Sequence, residues 1–147
     1  KADKDIVVRV LTTAAPIAAA HGAELHLETD LNPADFAELL GRLPHPAIKA
    51  NYDSGNSSGL GYIAHEEFAA YGNRIGSIHI KDRYRKPEGG IETRGLGLGS
   101  ADFDDVFASM HHVGYNRGVT LQVARGADED EVAWIAEQAA FVRRYWA

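Results

Sequence analysis

Glu28, Asp53, His79 and Gln122 each close a short apolar run, and each carries a group able to bind a cation: two carboxylates, an imidazole and an amide carbonyl. They sit in LHLETD (25–30), NYDSGN (51–56), SIHIKD (77–82) and TLQV (120–123). Each alone has an ordinary alternative. Glu28 can be a solvated strand-end charge, Asp53 a turn former in Asp-Ser-Gly-Asn, and His79, between Ile78 and Ile80, a core histidine. Four such groups at corresponding places in successive segments form a candidate metal site instead.

Those segments are strands by their alternation. Residues 5–20 first carry Ile6, Val7, Val10, Leu11, Ala14, Ile17 and Ala18 at helical spacing, with Pro16 expected to kink or restart the helix and Gly22 to end it. ELHLE (24–28) reads as a strand, followed by a helix capped by Asn32, with Pro33 at its first position, Asp35 in its first turn and an end near Gly41. AIKANY (47–52) precedes a helix over 62–71, IGSIHI (75–80) one over 102–112, and GVTLQV (118–123) a last helix. That last helix is expected to open at Asp128, Glu129, Asp130 and Glu131 and close at Arg143 and Arg144, matching its dipole, with Val132, Ile135, Ala139, Val142 and Trp146 as its apolar stripe. Between them, residues 81–101 read as a long glycine-rich and charged irregular stretch, of the kind that is functional or mobile.

A helix followed by four strand-helix couplets specifies an α/β chain with a parallel sheet. In the later half of each strand one parity is polar: His26 and Glu28, Asn51 and Asp53, Ser77, His79 and Lys81, Thr120 and Gln122. A doubly wound sheet, apolar on both faces, does not read this way. Right-handed crossovers that keep all helices on one face build a (β/α)8 barrel, whose inner face meets the site at the C-terminal strand ends. Residues 1–147 are therefore expected to form a single (β/α)4 half-barrel unit, four strands with outer helices. Four strands cannot close. The unit is expected to need a second half, through self-association or further residues, and not to behave as a monomer.

The 147-residue chain is 45% hydrophobic and 24% charged, has a net charge of −6 and contains no cysteine. Disulfides, thiolate metal sites and thiol nucleophiles are excluded. The acidic balance, without a basic stripe, excludes the electrostatic footprint of a nucleic-acid binder. No apolar run approaches a membrane span, and with no signal-like segment the expected location is cytoplasmic.

LHLETD, NYDSGN, SIHIKD, the GLGSADF turn (97–103) and GYNRGVTLQV (114–123) resemble the xylose-isomerase-like barrels of sugar-phosphate isomerases and epimerases. The likeness spans nearly the whole chain as the C-terminal half of that TIM barrel, and NYDSGN and HIKD are most similar to the L-ribulose-5-phosphate 3-epimerase and ketose 3-epimerase branch. It implies a divalent metal, Mn²⁺, Mg²⁺ or a similar ion, held by Glu28, Asp53, His79 and position 122. The family has a second Glu there, and this chain has Gln122.

The implied function is a sugar or sugar-phosphate isomerase/epimerase in which the metal polarises a ketose and Glu28 takes a proton to give an enediolate. Gln122 can coordinate through its carbonyl but is no acid or base near neutral pH. The alternatives are a lyase or dehydratase of the same superfamily and a non-catalytic half-barrel subunit with a vestigial site. Asn56 and Arg85 fall where related epimerases carry a substrate-contacting His and a substrate Arg, while Lys81 shares the parity of His79 and is placed to meet a phosphate or hydroxyl, its other reading being a solvated lysine at a loop start. GLGLGS (95–100) resembles an anion cradle, its other reading being a flexible loop. His111 and His112 read as surface residues at a helix end, and Trp134, Phe141 and Trp146 as packing or interface.

Overall fold

The computed structural model describes residues 2–126 and 130–146. Its elements are α1 (Ala2–Ala20), β1 (Leu25–Leu27), α2 (Pro33–Gly41), β2 (Ile48–Asp53), α3 (Ser54–Leu60), α4 (Ala64–Tyr71), β3 (Ile75–Ile80), β4 (Asp82–Arg85), β5 (Ile91–Arg94), α5 (Phe103–His112), β6 (Thr120–Leu121) and α6 (Glu131–Arg143), with a 3-10 turn at Gly72–Arg74. Asp128 and Glu129, expected to open the last helix, lie outside the described residues. Among those described, no helix is long and apolar enough to cross a membrane.

Four parallel strands run in the order β1-β2-β3-β6 and curl into a half-barrel surrounded by helices. The two sheet faces divide by parity. Leu25, Leu27, Ile48, Ala50, Tyr52, Ile78, Ile80 and Leu121 join the core, packed with Phe36, Leu39 and Leu40 of α2, Phe68 and Tyr71 of α4, and Phe103, Val106, Phe107 and Met110 of α5. The opposite parity carries His26, Asn51, Asp53, His79 and Gln122 on the inner face. A register irregularity between Ala50 and Asn51 brings Asp53 opposite His79. His79 pairs with Thr120 and Ile80 with Leu121, which sets Gln122 beside Lys81.

Local signals explain the helix starts. Asn32, Asp102 and Asp130 each accept a backbone N–H three residues on, from Asp35, Asp105 and Ala133, as N-caps. Pro16 sits inside an uninterrupted α1 and does not restart it.

Three expectations need correction, and the buried side of α1, which the sequence left open, is now defined. A helix at Ser54–Leu60 precedes the expected one, because Asp53 caps its start and Gly61, at φ 86°, closes it. Residues 81–101 are ordered around an antiparallel hairpin of β4 and β5. In α1 the buried side is Ala15, with Val8 and Leu11 packed against the core, while Ile6, Val10 and Ile17 are exposed. In α6 Val142 and Gln138 are buried, whereas Val132 and Ile135 face outward.

Candidate metal centre

Glu28 follows β1, Asp53 ends β2 and His79 lies near the end of β3, so the parallel register delivers all three to one end of the sheet. One ligand atom from each lies within 4.8 Å of the others. His79 Nδ1 is 3.4 Å from Glu28 Oε2 and 3.7 Å from Asp53 Oδ2. Donors that share an ion about 2.1 Å away are at most about 4.2 Å apart, so both separations fit a common cation.

Asp53 is the anchor. One oxygen, Oδ1, accepts the Asn56 N–H at 2.8 Å and starts α3. The other, Oδ2, is buried and has no hydrogen-bond partner among the described residues. Burial pushes this carboxyl above its ordinary range, against the Asn56 hydrogen bond and the Lys81 ammonium, which favour the charged form. A buried carboxylate oxygen facing an imidazole and a second carboxylate is what a divalent cation would satisfy.

Glu28 is held from both sides. Asn56 Nδ2 donates to Oε1 at 2.7 Å and Asn51 Nδ2 to Oε2 at 2.7 Å. Lys81 Nζ donates to Gln122 Oε1 at 2.8 Å and lies 3.7 Å from Asp53 Oδ2. The structure thus brings Glu28, Asp53, His79, Asn56, Lys81 and Gln122 into one connected group. Arg85 is not joined to it by any hydrogen bond or ion pair among the described residues; its guanidinium lies over Gly61 at the end of α3.

A match to the family model for xylose isomerase-like TIM barrels extends over residues 1–145. The chain belongs to the xylose isomerase-like TIM barrel family. Its fold is shared with a xylose isomerase domain protein from Planctomyces limnophilus, at 23% identity and TM-score 0.79, over 96% of this chain and 51% of that one. The IOLI protein with a bound zinc atom matches at 20% identity and TM-score 0.80, over 98% and 58% of the two chains. A D-allulose 3-epimerase from Methylomonas sp. matches at 17% identity and TM-score 0.79, over 97% and 55%. The chain thus spans little more than half the length of these structures. No curated protein matches it in sequence.

Two features of this xylose isomerase-like unit escaped the sequence. The glycine turn does hold an anion, but the anion is internal: Asp82, fully buried, accepts the N–H groups of Gly97, Gly99 and Ala101 at 3.0, 2.8 and 3.1 Å. The signal was the Asp of HIKD, next to Lys81 but of the opposite parity. The second is Asn51, two residues before Asp53 on the same face, which the polar parity of β2 already marked.

Proposed function

We propose that this chain carries the metal-binding part of a sugar or sugar-phosphate isomerase/epimerase-type enzyme. The observation that carries this reading is the convergence of Glu28, Asp53 and His79 around the unpartnered, buried Asp53 Oδ2. These three would hold a divalent ion such as Mn²⁺ or Mg²⁺. Bound there, the ion supplies Lewis acidity toward the carbonyl and hydroxyl oxygens of a ketose.

Glu28 is the base, taking the proton from the carbon beside the carbonyl, while the amides of Asn51 and Asn56 fix its carboxylate against rotation. Asn56, bonded to Glu28, and Lys81, bonded to Gln122 and 3.7 Å from Asp53 Oδ2, stand beside the ligand set as the substrate contacts of this reading, and Arg85, over Gly61, is a more distant third. Gln122 Oε1, which accepts from Lys81, keeps a second lone pair with which it could serve as a fourth ligand. Since an amide is no acid or base, the residues support a one-base isomerisation, in which Glu28 hands the proton it has taken to the neighbouring carbon on the same face; inverting a carbon would need a second acid or base on the opposite face.

The inner face is polar, and among the described residues β1 and β6 each have an unpaired edge. Exposed Ile6, Val10 and Ile17 on α1, which precedes β1, and Val132 and Ile135 on α6, which follows β6, add apolar surface on the flanking helices. A second half-barrel, from another copy or other residues, would cover these surfaces.

A second reading rests on Lys81. Its ammonium lies 3.7 Å from Asp53 Oδ2, where it partly serves as the cation, and with Gln122 in place of a carboxylate this favours a metal-free, non-catalytic relative.

Incubating the protein with Mn²⁺ and a panel of free and phosphorylated ketoses in D₂O separates the two. The enzyme reading expects solvent deuterium at the carbon beside the carbonyl, abolished by Glu28→Gln. No exchange with any ketose, in protein that has taken up Mn²⁺, contradicts it.

A further inference from the structure

A chain of polar contacts crosses the inner face toward Glu28 without belonging to the ligand set. Asn51 Nδ2 lies 2.7 Å from Glu28 Oε2 and 3.2 Å from His79 Nδ1, while Asn51 Oδ1 lies 2.6 Å from Ser77 Oγ. Ser77 Oγ in turn lies 2.7 Å from His26 Nδ1. His26 Nε2 lies 2.9 Å from Glu24 Oε2, and Arg117 Nη2 donates to Glu24 Oε1 at 3.0 Å.

The direction of these bonds follows from what each group can do. A carboxylate only accepts, so the Asn51 atom facing Glu28 is the nitrogen and the one facing Ser77 the oxygen. Ser77 has a single hydroxyl proton, which Asn51 Oδ1 takes. The Ser77 oxygen then accepts from His26 Nδ1, an arrangement that needs a proton on both ring nitrogens, because Nε2 faces the Glu24 carboxylate, which only accepts. The amide cannot turn over without placing its oxygen against Glu28 Oε2 and its nitrogen against a hydroxyl already oriented the other way. Asn51 is 7% exposed, so water does not readily replace either partner.

Resting on the metal reading above, we infer that Asn51 is a positioning residue: locked in one orientation by Ser77, it aims Glu28 at the point shared with Asp53 and His79 before an ion arrives. Of its two donor contacts, the 3.2 Å approach to His79 Nδ1 is the one an ion would displace, and the 2.7 Å bond to Glu28 is the one that persists. Partners of this kind, one bond removed from an ion, change affinity by roughly 10- to 100-fold when removed.

The test is a double-mutant cycle read by Mn²⁺ affinity rather than by turnover. Wild type, Asn51→Ala, Ser77→Ala and the double variant are titrated with Mn²⁺, with circular dichroism and thermal melts reporting whether each remains folded. Asn51→Ala is expected to weaken Mn²⁺ binding at least tenfold, and Ser77→Ala to weaken it less. Ser77→Ala should have no further effect once Asn51 is gone, because it acts only through the amide. Ser77→Ala is the mild variant that keeps the test open if Asn51→Ala does not fold.

If wild type binds Mn²⁺ and both single variants bind equally well, or if the Ser77 effect persists without Asn51, the positioning role is overturned while the metal site stands. If wild type binds no Mn²⁺, the metal reading itself fails and this inference with it.

Discussion

Asp53 and Asn56 share a bond that serves two ends: the Asn56 backbone N–H donates to Asp53 Oδ1 at 2.8 Å to start α3, which leaves Asp53 Oδ2 buried and aimed at His79. The cap places Asn56 one turn into the helix, where its side chain reaches Glu28 Oε1. One carboxylate thus builds the local fold with one oxygen and offers the other to the site.

Asp53→Asn should separate these two functions. Asn caps a helix about as well as Asp, so α3 is retained. Removing a charge whose Oδ2 is buried without a hydrogen-bond partner among the described residues is expected to leave the metal-free protein as stable or up to about 1 kcal/mol more stable. Mn²⁺ affinity should fall more than tenfold. Urea unfolding in EDTA and Mn²⁺ titration measure the two effects.

Asp82→Ala should be costly without touching the ligands. Three backbone N–H groups, from Gly97, Gly99 and Ala101, lose a charged acceptor inside a closed turn. Hydrogen bonds to charged groups are worth about 1.5–3 kcal/mol each, and a total loss of at least about 3 kcal/mol is expected in urea unfolding. The residue's place after Lys81 makes a loosened Lys81–Gln122 contact a secondary effect.

Glu67 makes stability depend on pH away from the site. Buried on α4, it accepts from Ser57 Oγ at 2.9 Å and Tyr71 Oη at 2.8 Å through Oε1, and Oε2 has no partner among the described residues. Burial pushes its carboxyl from 4.5 up to about 7 despite those two bonds. Between these pH values the folded state keeps a proton that the unfolded state has released. Stability therefore falls as pH rises from about 4.5 and levels off above about 7, by about 3 kcal/mol in total. Chemical unfolding at a series of pH values should show the slope, and Glu67→Gln should flatten it.

Gln122→Glu should restore a second carboxylate beside Lys81 and Asp53. Greater negative charge near the ion is expected to raise Mn²⁺ affinity severalfold and to supply an acid/base on the Gln122 side. An unchanged affinity would place position 122 outside the coordination shell, as a partner of Lys81 alone.

Much of this architecture was legible because two periodicities coincide in the sequence. Polar parity in His26 and Glu28, Asn51 and Asp53, and Ser77 and His79 marked one inner face, and Asn32 and Pro33 marked a helix start. The helix at Ser54–Leu60 was hidden because Ser, Gly and Asn are poor helix formers; Asp53 and Gly61 define it from its ends. The β4–β5 hairpin was hidden by charge and glycine content, since Asp82 fixes its base through contacts fifteen and more residues away, to Gly97, Gly99 and Ala101. The stripe expected for α6 is only partly covered, Val132 and Ile135 being exposed, and in α1 Ile6, Val10 and Ile17 are exposed too, because apolar spacing alone does not say which side is covered. Glu28, Asp53 and His79 could be assigned to one site because strand register is short-range; the Arg85 guanidinium, carried on a hairpin, could not be placed that way.

The most direct test of the shared centre is equilibrium dialysis against Mn²⁺ followed by elemental analysis of wild type and of the Asp53→Asn/His79→Ala double variant. Close to one ion per chain in the wild type, lost in the double variant, is the predicted result. A wild type free of metal, or a double variant that retains the ion, would contradict it.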